Sequence, residues 1–144
     1  MIDPTKPGIS VHQHRILYGD SDQMGIVYHP NYLKYLEIGR IEYLRDCGYS
    51  YANLEKNGIR IPVIRVEIDY KAPARFDELI DIQTTMESVS RIRVVFNYTI
   101  FNQNTELIAR AKTQHAFTNQ RNELSRVQQT FVEALQGLGK PVDF

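Results

Sequence analysis

The chain has 144 residues, and its 17 Lys plus Arg balance 17 Asp plus Glu. A single domain is expected, with no bulk charge to recommend a nucleic acid or an anionic membrane as partner. One cysteine, Cys47, excludes an intrachain disulfide. No apolar run is long enough to span a bilayer and the start does not read as a signal peptide, so the expectation is a cytoplasmic protein without membrane insertion.

Residues 1–8, MIDPTKPG, read as an extended lead-in. From Ser10 to Tyr18 a strand is expected, with His12, His14, Ile16 and Tyr18 on one face and Val11, Gln13, Arg15 and Leu17 on the other. His12 and His14 alternate as two metal ligands would. No carboxylate or cysteine joins them at convincing spacing, so they read as solvated strand histidines, and no metal or cofactor is expected.

Most of the readable chemistry lies in YGDSDQMGIVYHPNYLKY, from Tyr18 to Tyr35. Asp20 and Asp22 bracket a serine in an acidic turn, Gly25 permits backbone conformations closed to other residues, and Pro30 suits the first turn of a helix. The first turn of a helix presents unpaired N–H groups and the positive end of the macrodipole, which suits developing negative charge. A carboxylate facing it is the arrangement of general-base or nucleophilic acyl transfer. On spacing alone, the favoured reading is that these aspartates shape the turn through side-chain to backbone hydrogen bonds.

A long helix is expected from about Asn31 to Cys47, where Tyr35, Gly39, Tyr32, Tyr43, Leu36, Leu33 and Leu44 form one continuous arc. Glycine within that arc costs roughly 1 kcal/mol relative to alanine, so Gly39 implies close approach of the helix to strands. Gly48 is placed to end the helix as its C′ residue. Ile38 and Ile41 point outward as a candidate subunit contact, and Glu37 and Glu42 read as surface partners of Arg40 and Arg45.

Four strands follow a short helical turn and the Asn57-Gly58 turn signal. Pro62–Lys71 alternates Ile64, Val66, Ile68 and Tyr70 against charged residues. Leu79–Glu87 puts Ile80, Ile82, Thr84 and Met86 together, Ile92–Ile100 carries the next apolar face, and Leu107–Phe117 the last. Hairpin connections make the sheet antiparallel. Ser125 begins an S-x-x-Q capping box for a short terminal helix with Val127, Phe131, Ala134, Leu135 and Leu138 on one face. Helices and strands are segregated, which is α+β.

D-x-D, then G-I-V-Y-H-P-N-Y, then a helix with E-x-x-R, then Y-x-A-P-A-R at a strand end together resemble the hotdog-fold thioesterases. The branch is that of 4-hydroxybenzoyl-CoA thioesterase and the acyl-CoA thioesterases associated with the Tol-Pal system. The resemblance spans most of the chain. It implies a hotdog fold, about five antiparallel strands wrapped around one long central helix, assembled as a homodimer or homotetramer with sites at the interface. It implies hydrolysis of acyl-CoA, with Asp22 as the catalytic carboxylate, Asp20 supporting it and the backbone N–H of His29 polarising the thioester carbonyl. Tyr28 belongs to the same catalytic group.

Gly25, Val27, Asn31 and Tyr32 are the implied substrate contacts, and Met24, Ile26, Val27, Tyr28 and Tyr32 are candidate walls of an acyl tunnel. Arg75, Arg91 and Arg93 are candidates for the CoA phosphates, weighed against solvated hairpin charge. The thiol leaving group, with a pKa of roughly 8.5, needs little assistance. Whether Asp22 acts as general base or as nucleophile stays open, as does an acyl-carrier-protein thioester as donor. A hotdog module that binds acyl-CoA without turnover is the alternative of a different class. No G-x-S-x-G elbow is present, and helix packing explains Cys47.

Overall fold

The computed structural model describes residues 8–137. In chain order the elements are β1 (Ile9–Arg15), α1 (Tyr32–Asp46), α2 (Tyr51–Lys56), β2 (Val63–Tyr70), β3 (Leu79–Val89), β4 (Arg93–Asn102), β5 (Leu107–Ala116) and α3 (Gln129–Gly137). The strands form one antiparallel sheet in the order β1-β3-β4-β5-β2. Period-two alternation explains its inner face: Ile80, Ile82 and Thr84 of β3 and Val94, Phe96, Tyr98 and Ile100 of β4 are all buried. Tyr35, Leu36, Tyr43 and Leu44 of α1 pack on that face. One long helix held in a five-stranded antiparallel sheet is the expected hotdog architecture.

Gly39 sets how closely the two layers meet. A Cβ placed there would stand 2.5 Å from Thr84 Oγ1 and 2.8 Å from Ile82 Cγ2. At its other end, α1 stops in a Schellman arrangement. Gly48 has φ 94°, its N–H donates to Arg45 C=O at 2.9 Å, and Tyr49 N–H donates to Leu44 C=O at 2.9 Å.

Several expectations are corrected. β1 ends at Arg15, and its His12 and His14 are half-buried on the helix side rather than solvated. The His14 ring centre lies 5.5 Å from that of Tyr35. Leu33, at the edge of the expected arc, is 46% exposed, whereas Ile38 packs against the core instead of pointing outward. Periodicity supplies an angle around the helix but not the width of the stripe that the sheet covers. Arg40 is half-buried, its charge acting on Tyr98 and His115, while Glu42 does form the expected surface pair with Arg45 at 3.7 Å. The capping box does not form, because the helix starts only at Gln129 and Ser125 N–H instead donates to Phe117 C=O at 3.0 Å. Leu138 and residues 1–7 lie outside the described residues.

Behind α1 runs a buried polar chain. Tyr98 Oη and Thr113 Oγ1 are 2.6 Å apart, Thr113 Oγ1 and His115 Nε2 are 2.8 Å apart, and His115 Nδ1 lies 3.1 Å from Ile61 C=O. Burial first, and then the Arg40 charge, push the His115 imidazole down from its ordinary 6.5 to about 4. The folded chain therefore holds His115 neutral where the unfolded chain protonates it.

Two outcomes follow from this packing. Gly39→Ala gains helix propensity of roughly 1 kcal/mol but must push apart a helix and a sheet. A net destabilisation of about 1–3 kcal/mol in urea melts is expected, and an unchanged midpoint would contradict the close approach. Stability that His115 leaves intact above pH 6.5 is lost as pH falls towards 4, by about 3 kcal/mol across the window. His115→Gln should flatten that part of the melting-temperature profile.

Candidate active site

The turn between β1 and α1 is closed on itself. Asp22 N–H donates to Ile26 C=O at 2.9 Å and Gly25 N–H to Asp22 C=O at 3.0 Å, while Ser21 and Val27 form a bridge. Gly25 has φ 78° with open space around it, so its contribution is backbone conformation rather than packing. Val27 N–H donates to Ala74 C=O at 2.8 Å, which pins the turn to the segment after β2.

Asp20 and Asp22 occupy different environments two residues apart. Asp20 is 3% exposed. Its Oδ1 accepts from Lys34 Nζ at 2.5 Å and its Oδ2 from Tyr35 Oη at 2.9 Å. Burial alone would raise its carboxyl, but these two hydrogen bonds and the Lys34 charge outweigh burial and hold it below its ordinary value. The Asp20 C=O also accepts from Tyr28 N–H and from Asn31 Nδ2, both at 2.9 Å. Asp22 is only half-buried. Met24 N–H donates to its Oδ1 at 2.8 Å, a turn-shaping bond of the kind expected from spacing. Oδ2 has no hydrogen bond among the described residues.

His29, Pro30 and Asn31 form a 3-10 turn that runs straight into α1. Pro30 has no N–H, and Asn31 N–H donates to Tyr28 C=O at 2.9 Å. Among the described residues the His29 N–H has no acceptor, which leaves a backbone donor free at the positive end of the helix. Tyr70 Oη donates to His29 C=O at 3.0 Å and holds the turn against the end of β2.

Two clefts flank the segment 27–29. One, of about 530 Å³, is lined by Tyr18, Ser21, Asp22, Gln23, Tyr28 and Asn31 among others. The second, of about 400 Å³, is more apolar and is walled by Val27, His29, Tyr32, Tyr70 and Pro73. The rings of Tyr28, His29, Tyr70 and Tyr32 touch in sequence along the boundary, with centres 5.0, 6.2 and 5.1 Å apart. Burial pushes the Tyr32 hydroxyl up to about 12, so it stays protonated.

Asp22, Tyr28 and Asn31 thus come together, and Val27, His29 and Tyr32 meet on the adjoining side. Ile26 also lines the second cleft, while exposed Met24 lines neither. Arg75 is exposed and lines neither cleft. Arg91 and Arg93 lie beyond the Val89 end of β3, whose 11 residues start at Leu79 and reach at most roughly 33 Å along the strand. Arg91 Nε donates to Val127 C=O at 2.7 Å, tying the β3–β4 hairpin to the tail. Tyr70 and Lys71 were missed as site residues, although both stand in the Y-x-A-P-A-R segment. Lys34 and Tyr35 were read only as helix positions. Among the described residues no helix is long and apolar enough to cross a membrane, and no group of three or more His, Cys, Asp or Glu could hold a metal ion.

The profile of the Thioesterase-like superfamily matches residues 16–135. The chain belongs to that family. It is 36% identical over 107 residues to YneP of Bacillus subtilis, provisionally an acyl-CoA thioesterase, covering 74% of this chain and 78% of that one. To the acyl-CoA thioester hydrolase YbgC of Escherichia coli it is 34% identical over 98 residues, covering 68% and 73%. The crystal structure of DHNA-CoA thioesterase from Staphylococcus aureus superposes with a TM-score of 0.84 at 31% identity, covering 89% of each chain. This thioesterase-family chain therefore has its acidic turn and helix start inside the matched region.

Proposed function

We propose that this chain hydrolyses acyl-CoA thioesters to the free acid and CoA, with Asp22 as general base. What supports the reading is a half-buried carboxylate with one oxygen spare on one side of residues 27–29 and, on the adjoining side, a helix start whose His29 N–H has no acceptor among the described residues. With Oδ1 fixed by Met24 N–H, Oδ2 takes a proton from water as its oxygen adds to the thioester carbon. The carbonyl oxygen becomes an oxyanion against the His29 N–H, where a fixed donor is worth most. Collapse of the adduct expels the thiolate, whose conjugate acid has a pKa of roughly 8.5, so little acid assistance is needed. Tyr28, Asn31, Val27 and Tyr32 border the reacting group, and the proton on Asp22 leaves with the departing sulfur. We assign the phosphate end of CoA to Arg75 on one protomer and to Arg91 and Arg93 of a second, since these lie too far apart to serve one ligand within a chain.

The same reading includes an oligomer. β2 is an edge strand, and its residues Val66 and Tyr70 pair with Thr113 and Ala109 on the inner face. They are nevertheless 39% and 48% exposed, beside Ile64 at 52%. An apolar, uncovered edge is a site for pairing with another copy, and we assign it to a homodimer whose β2 strands continue the sheet, with pairing into a tetramer as the further step. A cytoplasmic location suits a chain whose one thiol, Cys47, is buried and held protonated.

Thiol release from short, long and aromatic acyl-CoAs tests the activity. Asp22→Asn is expected to lose turnover by about 10²–10⁴-fold while binding a non-hydrolysable analogue as well as wild type does. Binding by both proteins with turnover by neither, on acyl-CoA or acyl-carrier-protein thioesters, would sink the enzyme in favour of a binding module. For the assembly, Val66→Lys should convert a dimer or tetramer to monomer in sedimentation. A wild type that already sediments as a monomer rejects the edge pairing.

A further inference from the structure

We infer that Asp20, held by Lys34 and Tyr35, is a positioning residue that sets the Asp22 turn against the His29 helix start. The inference rests on the thioesterase reading and deepens it. Four hydrogen bonds converge on this one residue: Lys34 Nζ and Tyr35 Oη on the carboxylate, Tyr28 N–H and Asn31 Nδ2 on the carbonyl. Both carboxylate oxygens are engaged, so Asp20 has no oxygen to offer a substrate. Its donors come from residues 28–35, the stretch that carries the His29 N–H, while Asp20 itself lies two residues before Asp22. Asp20 therefore joins the turn directly to the helix start, next to the Ser21–Val27 bridge that closes the turn.

Stability is a weak reason for this arrangement. The Asp20 side chain is 5% exposed but that of Lys34 is 54% exposed, and burying a carboxylate against a solvated partner recovers little beyond its desolvation cost. Geometry is the stronger reason, since a reacting pair displaced by about 1 Å can lose on the order of 100-fold in rate. The charged and titratable groups facing Asp20 are Lys34 and Tyr35 from α1 and His14 from β1, with His12 acting on His14 in turn. Without Lys34, the Asp20 carboxyl loses its main support and takes up a proton at a higher pH, releasing the contact from the acid side.

The test uses the full-length chain and an acyl-CoA that wild type turns over, measuring kcat, KM, analogue binding and thermal stability across pH. Lys34→Met removes a half-exposed side chain and leaves the core untouched. It should lower kcat at least tenfold with KM and analogue affinity within about twofold, and move the acid limb of the kcat profile upward. Lys34→Arg should restore both. Asp20→Asn should match the kcat loss of Lys34→Met without the moved limb. If Lys34→Met and Asp20→Asn change the melting temperature alone, with wild-type kcat and pH profile, the contact is structural and the inference is overturned. A wild type that hydrolyses no thioester overturns the thioesterase reading and this inference with it, an outcome distinct from wild-type turnover that Lys34→Met leaves unaltered.

Discussion

The close approach of α1 to β3 and β4 at Gly39 is the constraint on which the rest depends. Where a Cβ would meet Thr84 and Ile82 there is only hydrogen, and the helix settles into the concave face of the sheet. That depth lets Tyr35, Leu36, Tyr43 and Leu44 bury together with Phe96 and Tyr98. Glycine's cost in helix propensity is offset by the apolar area that closes around it.

Fixing the helix also fixes its first turn. The chain enters α1 beside the end of β2, where Tyr70 holds His29 C=O and Ala74 C=O holds Val27 N–H. The acidic turn has little secondary structure of its own, so its shape comes from bonds to its neighbours. Asp20 sends its carboxylate to the helix and its carbonyl to Tyr28 and Asn31, which leaves Asp22 the less buried acid of the two. Two aspartates in one tripeptide thereby take separate tasks, one engaged at every oxygen and the other with an oxygen spare, as burial and partners divide them.

The uncovered inner face of β2 belongs to the same logic. α1 lies against β1, β3 and β4, and a single helix is too narrow to cover the whole width of a five-stranded sheet. Val66 and Tyr70 stay exposed although they carry the strand's regular alternation. This exposed face lies next to the cleft lined by His29, Tyr32 and Tyr70.

Much of the fold was legible because it is written in local periodicity. The alternation of Ile80, Ile82 and Thr84, the arc through Tyr35 and Tyr43, and Gly48 as a helix stop each depend on neighbours within a few residues. Residue types named the acidic turn and Pro30 at a helix start, and periodicity alone misplaced other positions. It misjudged Leu33, Ile38 and Arg40, because an angle around a helix does not reveal what lies opposite. Ser125 looked like a cap but is claimed by Phe117 C=O, a partner that local pattern cannot supply. The residue types and their order determined that an acid would sit near a helix start. Only tertiary structure decided that Asp20 would be the one sealed against Lys34 and Tyr35 and Asp22 the one left with an open oxygen. The same packing decided that Tyr70 would brace the turn and that Arg91 would lie at the far end of the sheet. Those outcomes depend on contacts between residues distant in the chain, which only the packing of helix on sheet brings together.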